Sequence, residues 1–483
     1  MLPDPLARAA ALAPERPAAI ADEATLSYAE LDVAASRAAG SLCSLGLEPG
    51  DRVGLLARNV PAAIVAVHAA RRARLVLVPL HPRASPAELA FALADAGVGL
   101  LLHDGATAAQ AAAAVRDSGS RALSLDALAE LPPSAIDAPS VRLSDAQGIV
   151  YTSGTSSRPK GVVLTHGNHW WSAVGSALRL GVRDDDRWLL ALPLAHVGGL
   201  AIVQRAAISA APIVLVESFD PHAANLSIAE RGVTLVSVVA DMLRRMLDAR
   251  GDRPFPPTLR RVLLGGGPAA GALLAECARR GVPVACTYGL TEAASQVATQ
   301  AAGATPGTSC GPPLAVTEVR IEVAGRPAGA GEEGEICVRG PTVMAGYHER
   351  PLETQRALSA GWLRTGDLGS LDERGELRVA GRRDALIISG GENVSPREIE
   401  RALLAHPAVA DALVAAAPHE RWGTVPVAAV TLRPGAAATP EALRAHCRTL
   451  LAAFKVPERI DIVTELPRGQ SGKPRPGALV RGE

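Results

Sequence analysis

The chain has 483 residues, longer than one ordinary core accommodates, so two or more domains are expected. Hydrophobic residues make up 48% and charged residues 20%, the balance of a globular protein, and aromatics at 3% leave Ala, Val and Leu to fill the interior. Formal net charge is zero with no long basic run, which argues against nucleic acid as a partner, and no apolar run approaches the roughly 18–20 residues of a membrane-spanning helix. The opening MLPDPLARAAALAPERP lacks the charged segment and apolar core of a secretory signal. Cys43, Cys277, Cys286, Cys310, Cys337 and Cys447 fall with no CxxC or CxxH pairing. Both features are expected of a cytoplasmic protein with reduced thiols, not of a disulfide framework or a zinc site.

In chain order, residues 1–145 alternate Ala-rich helical segments with the apolar runs RVGLLA, RLVLVPL and GVGLLLH. The segment LSYAELDVAASRAAGSLCSLG, 26–46, ends in the glycine that a helix C-terminus favours. ATAAQAAAAV is expected to be helical. The same rhythm resumes across 170–300, with APIVLVES, VTLVSVV, RRVLLGGG and VPVACTYG as strands. Strands alternating with helices imply βαβ units and parallel sheet. From about 305 to 380 short strands and Gly-rich turns replace that rhythm, the texture of antiparallel sheet or a small barrel. After GRRDALIISGGENVSP a helix, REIERALLAHP, opens a final α+β unit with VPVAAVTLRP as a strand. The expected domains are 1–381 and 382–483.

Arginine is the default cation: of 49 basic residues only Lys160, Lys455 and Lys473 are lysines. A compact ammonium enters a phosphate pocket that a planar guanidinium would not fit. Lys160 lies in YTSGTSSRPKGVVLTH, 151–166, where Thr152, Ser153, Thr155, Ser156 and Ser157 offer hydroxyls and Gly154 lets backbone N–H groups approach an anion. A solvated turn between strands is the alternative. The stretch is not GxxxxGK[ST], because Gly161 and a strand-like apolar run follow the lysine. In TYGLTEAASQ, 287–296, Glu292 falls just past a strand's carboxyl end, where doubly wound sheets bind ligands, unless Thr291 simply caps a helix that Glu292 begins. In GWLRTGDLG, 361–369, Asp367 occupies a Gly-flanked turn, suited either to accepting two ribose hydroxyls or to a structural turn. His166 and His169 have i, i+3 spacing but no third ligand, so they are not read as a metal site, and Trp170 and Trp171 are read as core.

TSGT-x-x-RPKG, TYGLTE, GWLRTGD, GRRDxLIISGGENVSPxEIE and LPRGQSGK follow in order across more than 300 residues, and with them the chain resembles the adenylate-forming superfamily of acyl- and aryl-CoA ligases, peptide-synthetase adenylation domains and luciferases. The resemblance implies an α/β fold: a large N-terminal domain of two doubly wound sheets plus a small β-barrel, and a smaller mobile C-terminal domain. It implies ATP, Mg²⁺ and coenzyme A as partners and cleavage between the α- and β-phosphates, with a carboxylate attacking the α-phosphorus. Thr152, Ser153, Gly154, Thr155, Ser156 and Lys160 would grip the departing phosphates. Glu292 would help hold Mg²⁺, Thr291 would contact the α-phosphate, and Tyr288 would join the nucleotide site. Asp367 would bind the ribose, with Arg382 beside it. Lys473 would bridge α-phosphate and carboxylate, Asp384 would be the hinge, and Gly390 and Gly391 would border the thiol's entry. Ser157 departs from the glycine usual in the family, which puts that loop's shape in question.

Within the superfamily three features resemble the o-succinylbenzoate–CoA ligases of menaquinone biosynthesis. LPLAHVGGL would place His196 at the acyl pocket, unless it is a partly buried histidine bonded to a main-chain carbonyl; TEAASQVAT adds Ser295 and Gln296, and RRVLLGGGPAA supplies Gly265, Gly266 and Gly267, whose bare backbone suits a flat ring. Another aryl- or medium-chain acyl-CoA ligase, an adenylation enzyme loading a carrier protein, and a non-catalytic nucleotide-binding relative are the alternatives. The assembly is left open, with a homodimer as one option.

Overall fold

The structure, a computed structural model, describes residues 1–22, 24–84, 86–116, 118–132, 136, 139–152, 159–267, 269, 271–301, 304, 309–382, 387–389, 392–394, 396–419, 422–451, 453–467 and 479. They form two compact units, 1–365 with 370–379, and 366–369 with 380–483. The division after Val379 compares with the expected one after Gly381. The segment 366–369, which contains Asp367, groups with the second unit.

The large unit holds two sheets built mainly from parallel strands. One runs Arg121–Ser124, Leu100–His103, Arg52–Leu56, Val76–Leu80, Ala146–Thr152, Lys160–Thr165 and Gly346–Tyr347; its first five strands are parallel, and the last two are antiparallel additions. The other runs Ser295–Thr299, Val284–Leu290, Arg261–Leu264, Leu235–Val238, Trp188–Leu190, Ile213–Leu215, Pro17–Ile20 and Thr25–Ser27, with an antiparallel strand at each edge of a parallel centre. Val76–Leu80 and Leu235–Val238 are buried at every residue, as strands covered on both faces must be.

The helices obey local rules. Tyr28–Ser44 begins with a capping box in which Ser27 and Glu30 satisfy each other's backbone N–H, and Gly46 follows it at φ +86°. With few aromatics available, small residues such as Ala35, Ala39, Ala63, Ala66 and Ala69 form much of the core around this helix and Pro61–Arg72. Buried Asn59 ties the two sheets together. Its Nδ2 group lies 3.3, 3.2 and 3.1 Å from the carbonyl oxygens of Leu190, Leu192 and Val216, and its backbone N–H donates to Glu217 O at 3.0 Å. Carbonyls at the ends of second-sheet strands are thereby satisfied by a residue that follows Arg52–Leu56 of the first.

Residues 318–382, the region expected to be a small barrel, form a six-stranded sheet. The path Arg326–Pro327, Glu318–Val323, Gly334–Arg339, Trp362–Leu371 and Leu358–Ser359, with Leu377–Arg382 added on Trp362–Leu371, is open among the described residues.

The small unit is α+β. Its sheet runs Glu392–Val394, Ile387–Ser389, Gly423–Leu432 and Val409–His419, with Arg459–Ile462 beside Gly423–Leu432. The helices Pro396–Leu404 and Pro440–Leu450 contribute Ile399, Leu403 and Leu443 to its core. Among the described residues no helix is long and apolar enough to cross a membrane.

Candidate active site

The loop rich in hydroxyls is closed by an antiparallel hairpin, Ala146–Thr152 with Lys160–Thr165, whose final pair is Thr152 with Lys160. Both residues are half-buried. Ser153, Gly154, Thr155, Ser156 and Ser157 lie outside the described residues. Gly161 must be glycine, since a Cβ there would approach Ile149 Cγ2 to 2.6 Å. The strand Gly346–Tyr347 is stitched to this hairpin, with Tyr347 opposite Val162 and the N–H of His348 donating to Gly161 O at 2.8 Å.

That pairing delivers a residue the sequence reading missed. The Tyr347 ring centroid lies 5.2 Å from Lys160 Nζ, within cation–π range, and the Tyr347 hydroxyl donates to Glu292 Oε1 at 3.0 Å. Met344 N–H also donates to Glu292 O at 2.8 Å. Lys160 and Glu292, from different sheets and different sequence motifs, therefore meet on one phenol. The only sequence signal available was rarity: the chain has four tyrosines.

Glu292 is half-buried in a single 3₁₀ turn, Thr291–Ala293, that follows Val284–Leu290 at its carboxyl end. Leu290 occupies the N-cap position, so Thr291 is not the cap. The chain then doubles back through Ala294 at φ +50° and Ser295 at φ +104°, two consecutive non-glycine residues with left-handed φ. Such a residue costs on the order of 1–2 kcal/mol. The surroundings hold the reversal in place: Ser172 Oγ donates to Ala294 O at 2.6 Å, and Gly289 accepts the returning strand so closely that a Cβ would sit 1.9 Å from Ser295 O.

Ser295 and Gln296 open the strand Ser295–Thr299. Ser295 is half-buried and its Oγ accepts from Arg205 Nη2 at 3.3 Å. Gln296 is buried, with Nε2 donating to Thr299 Oγ1 at 2.8 Å. Arg205 is fully enclosed, 5.6 Å from the Trp188 ring, and burial alone brings its pKa down to about 10.

His196 follows Trp188–Leu190 and precedes the helix Val197–Ser209, with its backbone N–H donating to Pro193 O at 3.0 Å. Its ring centroid is 5.3 Å from that of His81, which directly follows Val76–Leu80 of the other sheet. Two strand ends from two sheets thus converge on a pair of imidazoles, and His81 is the second residue that sequence reading missed.

The three glycines divide by role. A Cβ at Gly265 would come 2.8 Å from Thr287 Cγ2, and Gly266 has φ +76°, so the turn itself demands both. Gly267 has open space around its Cα, the one position of the three where bare backbone is available to a flat ring. Tyr288 is buried in the core of the large unit, and Asp367 is half-buried on Trp362–Leu371. Arg382 ends Leu377–Arg382. Asp384, Gly390, Gly391 and Lys473 lie outside the described residues. His166 Nδ1 sits 3.1 Å from Arg71 Nη1. Burial lowers the His166 and His169 pKa values to about 3 and 4, with Arg71 adding to both shifts.

Residues 6–348 match the family model described as AMP-binding enzyme, and 398–473 match the AMP-binding enzyme C-terminal domain. The 2-succinylbenzoate–CoA ligase of Geobacillus kaustophilus is 45% identical over 475 residues, 98% of this chain and 96% of that one. The o-succinylbenzoate CoA synthetase of Bacillus subtilis, solved with the acyl-adenylate intermediate OSB-AMP, superposes with a TM-score of 0.92 at 38% identity, covering 99% of this chain and 98% of that one. The same enzyme solved with ATP and a magnesium ion gives 0.90 at 37% identity, covering 99% of each chain.

Proposed function

The chain belongs to the AMP-binding enzyme family, and on that premise we propose that it is an ATP-dependent ligase joining o-succinylbenzoate to coenzyme A. One carboxylate of the acid attacks the α-phosphorus of ATP and the bond to the β-phosphate breaks, releasing pyrophosphate. The coenzyme A thiol then attacks the acyl carbon, and AMP leaves as the thioester forms. Both substrates of the first step are anions, so charge neutralisation and alignment supply most of the acceleration.

The observation that carries this reading is the meeting of Lys160 and Glu292 on Tyr347. An ammonium and a carboxylate held on either side of one phenol at a strand's carboxyl end fit Mg·ATP, the lysine facing phosphate oxygens and the carboxylate offering a hard oxygen ligand. Mg²⁺ held at Glu292 would offset phosphate charge as pyrophosphate departs. Lys160 stabilises the same leaving group from the hairpin. Thr291, with its hydroxyl free of a capping role, contacts the α-phosphate, and Gly267 lets the adenine approach bare backbone. Asp367 accepts the ribose hydroxyls beside Arg382. Thr152 and 153–156 complete the phosphate grip. Lys473 serves adenylation only, Asp384 is the hinge between the two half-reactions, and Gly390 with Gly391 borders the thiol path; these roles rest on the resemblance of the motifs. All six cysteines are free thiols, which supports a cytoplasmic location.

The test is product identity. Purified protein with Mg·ATP, o-succinylbenzoate and coenzyme A should release AMP and pyrophosphate. ADP as the nucleotide product overturns the mechanism, and AMP formed only with another acid overturns the substrate.

A further inference from the structure

His81 carries a polar atom that nothing in the fold explains. The backbone N–H of Arg83 donates to His81 Nδ1 at 3.0 Å, so Nδ1 is an acceptor and the proton of the neutral ring is assigned to Nε2. That Nε2–H is shielded from solvent and has no hydrogen-bond partner among the described residues. Buried donors without partners are rare and costly, and at a binding site such a donor is held for a ligand. The ring lies against His196, 5.3 Å between centroids and inclined at 57°, where strand ends of the two sheets of the large unit converge. In open α/β sheets ligands bind outside such strand ends.

We propose that His81 Nε2–H is a specificity-determining donor to the carboxylate of the acid substrate that is not adenylated. The proposal rests on the functional reading above. o-Succinylbenzoate carries two carboxylates and only one is activated, so the second must be recognised by a group that does not compete for the reaction. A neutral imidazole suits this: it offers one directed N–H and places no permanent charge near the phosphates. Burial, reinforced by the charge of Arg83 and opposed by Glu88, holds the His81 pKa down to about 4, so the ring stays neutral at working pH.

The experiment compares wild type, His81→Phe, which keeps a ring but removes the donor, and His81→Gln, whose amide N–H can take the place of Nε2–H. KM for o-succinylbenzoate should rise about tenfold or more in the Phe variant, the scale of one lost hydrogen bond to a charged group, with KM for ATP unchanged within about twofold. Gln should restore most of the loss. 4-Oxo-4-phenylbutanoate, which has the succinyl arm but no ring carboxylate, should inhibit wild type and the Phe variant equally. An unchanged KM for o-succinylbenzoate, an equal loss for both acids, a matching rise in KM for ATP, or a Gln variant as poor as Phe overturns the role of His81. Wild type that ignores o-succinylbenzoate while adenylating another acid overturns the functional reading, and this proposal with it.

Discussion

The large unit carries two polar groupings that are completed to different degrees. Around Glu292 the protein's own groups lean on one another: the Tyr347 hydroxyl donates to the carboxylate and its ring lies near the Lys160 ammonium. Around His196 hydrogen-bonding capacity is held in reserve, since among the described residues Nε2 of the neighbouring His81 is buried without a partner. The contrast follows from chemistry. Pyrophosphate departure is the same for every acid, so its stabilisers can be fixed in advance and gain from preorganisation. Recognition of a particular acid needs donors that the substrate itself satisfies, and a substrate lacking the matching oxygen leaves them unpaired, which is how such a site discriminates.

The largest effect should come from the completed grouping. We expect Lys160→Ala to lose about 3 kcal/mol of transition-state stabilisation, roughly a hundredfold in rate of pyrophosphate release. Affinity for the free acid should hardly change, and a parallel loss of acid binding would show that the two groupings are not separate. Tyr347→Phe is the finer probe. It keeps the ring beside Lys160 and removes only the hydroxyl bond to Glu292, so adenylation should fall by about tenfold. Equilibrium binding of Mg²⁺ with ATP, measured by calorimetry, should weaken in step, while KM for the acid stays constant. If Mg²⁺ and ATP bind as before, Tyr347 packs the hairpin and does not orient the carboxylate.

At the acyl grouping the effect should appear as a ratio. His196→Ala is expected to shrink, by several-fold or about 1 kcal/mol, the preference in kcat/KM for o-succinylbenzoate over benzoate. An unchanged ratio would make His196 a core residue and take the reserved capacity away from substrate choice. The smallest effect concerns the backbone between the groupings. Ala294→Gly relieves a left-handed alanine at φ +50° and should stabilise the protein by up to about 1 kcal/mol, visible as a small rise in Tm. A fall in Tm would mean that the Ala294 methyl, which is fully buried, contributes more by packing than its backbone costs.

Local features were legible in the sequence because their causes are local. Ser27, Glu30 and Gly46 lie within a turn of the helix ends they define, and the apolar runs RVGLLA and VTLVSVV need only their own residues to mark buried strands. The rarity of lysine and the order of the five motifs likewise single out Lys160 and Glu292. What the sequence did not contain was adjacency. Tyr347 reaches Glu292 across 55 positions and Arg205 reaches Ser295 across 90, contacts set by which strands are neighbours in a sheet, not by spacing along the chain. The two-residue strand Gly346–Tyr347 is too short to show any periodicity, and it exists because Val162 and Val163 offer it an edge. Ser295 and Gln296 are neighbours in one motif, yet the fold bonds one to Arg205 and the other to Thr299. His81 stands one residue past a strand end, where sequence offers no periodicity to read. Its pairing with His196 was decided only when Val76–Leu80 and Trp188–Leu190, strands of separate sheets, brought their carboxyl ends together.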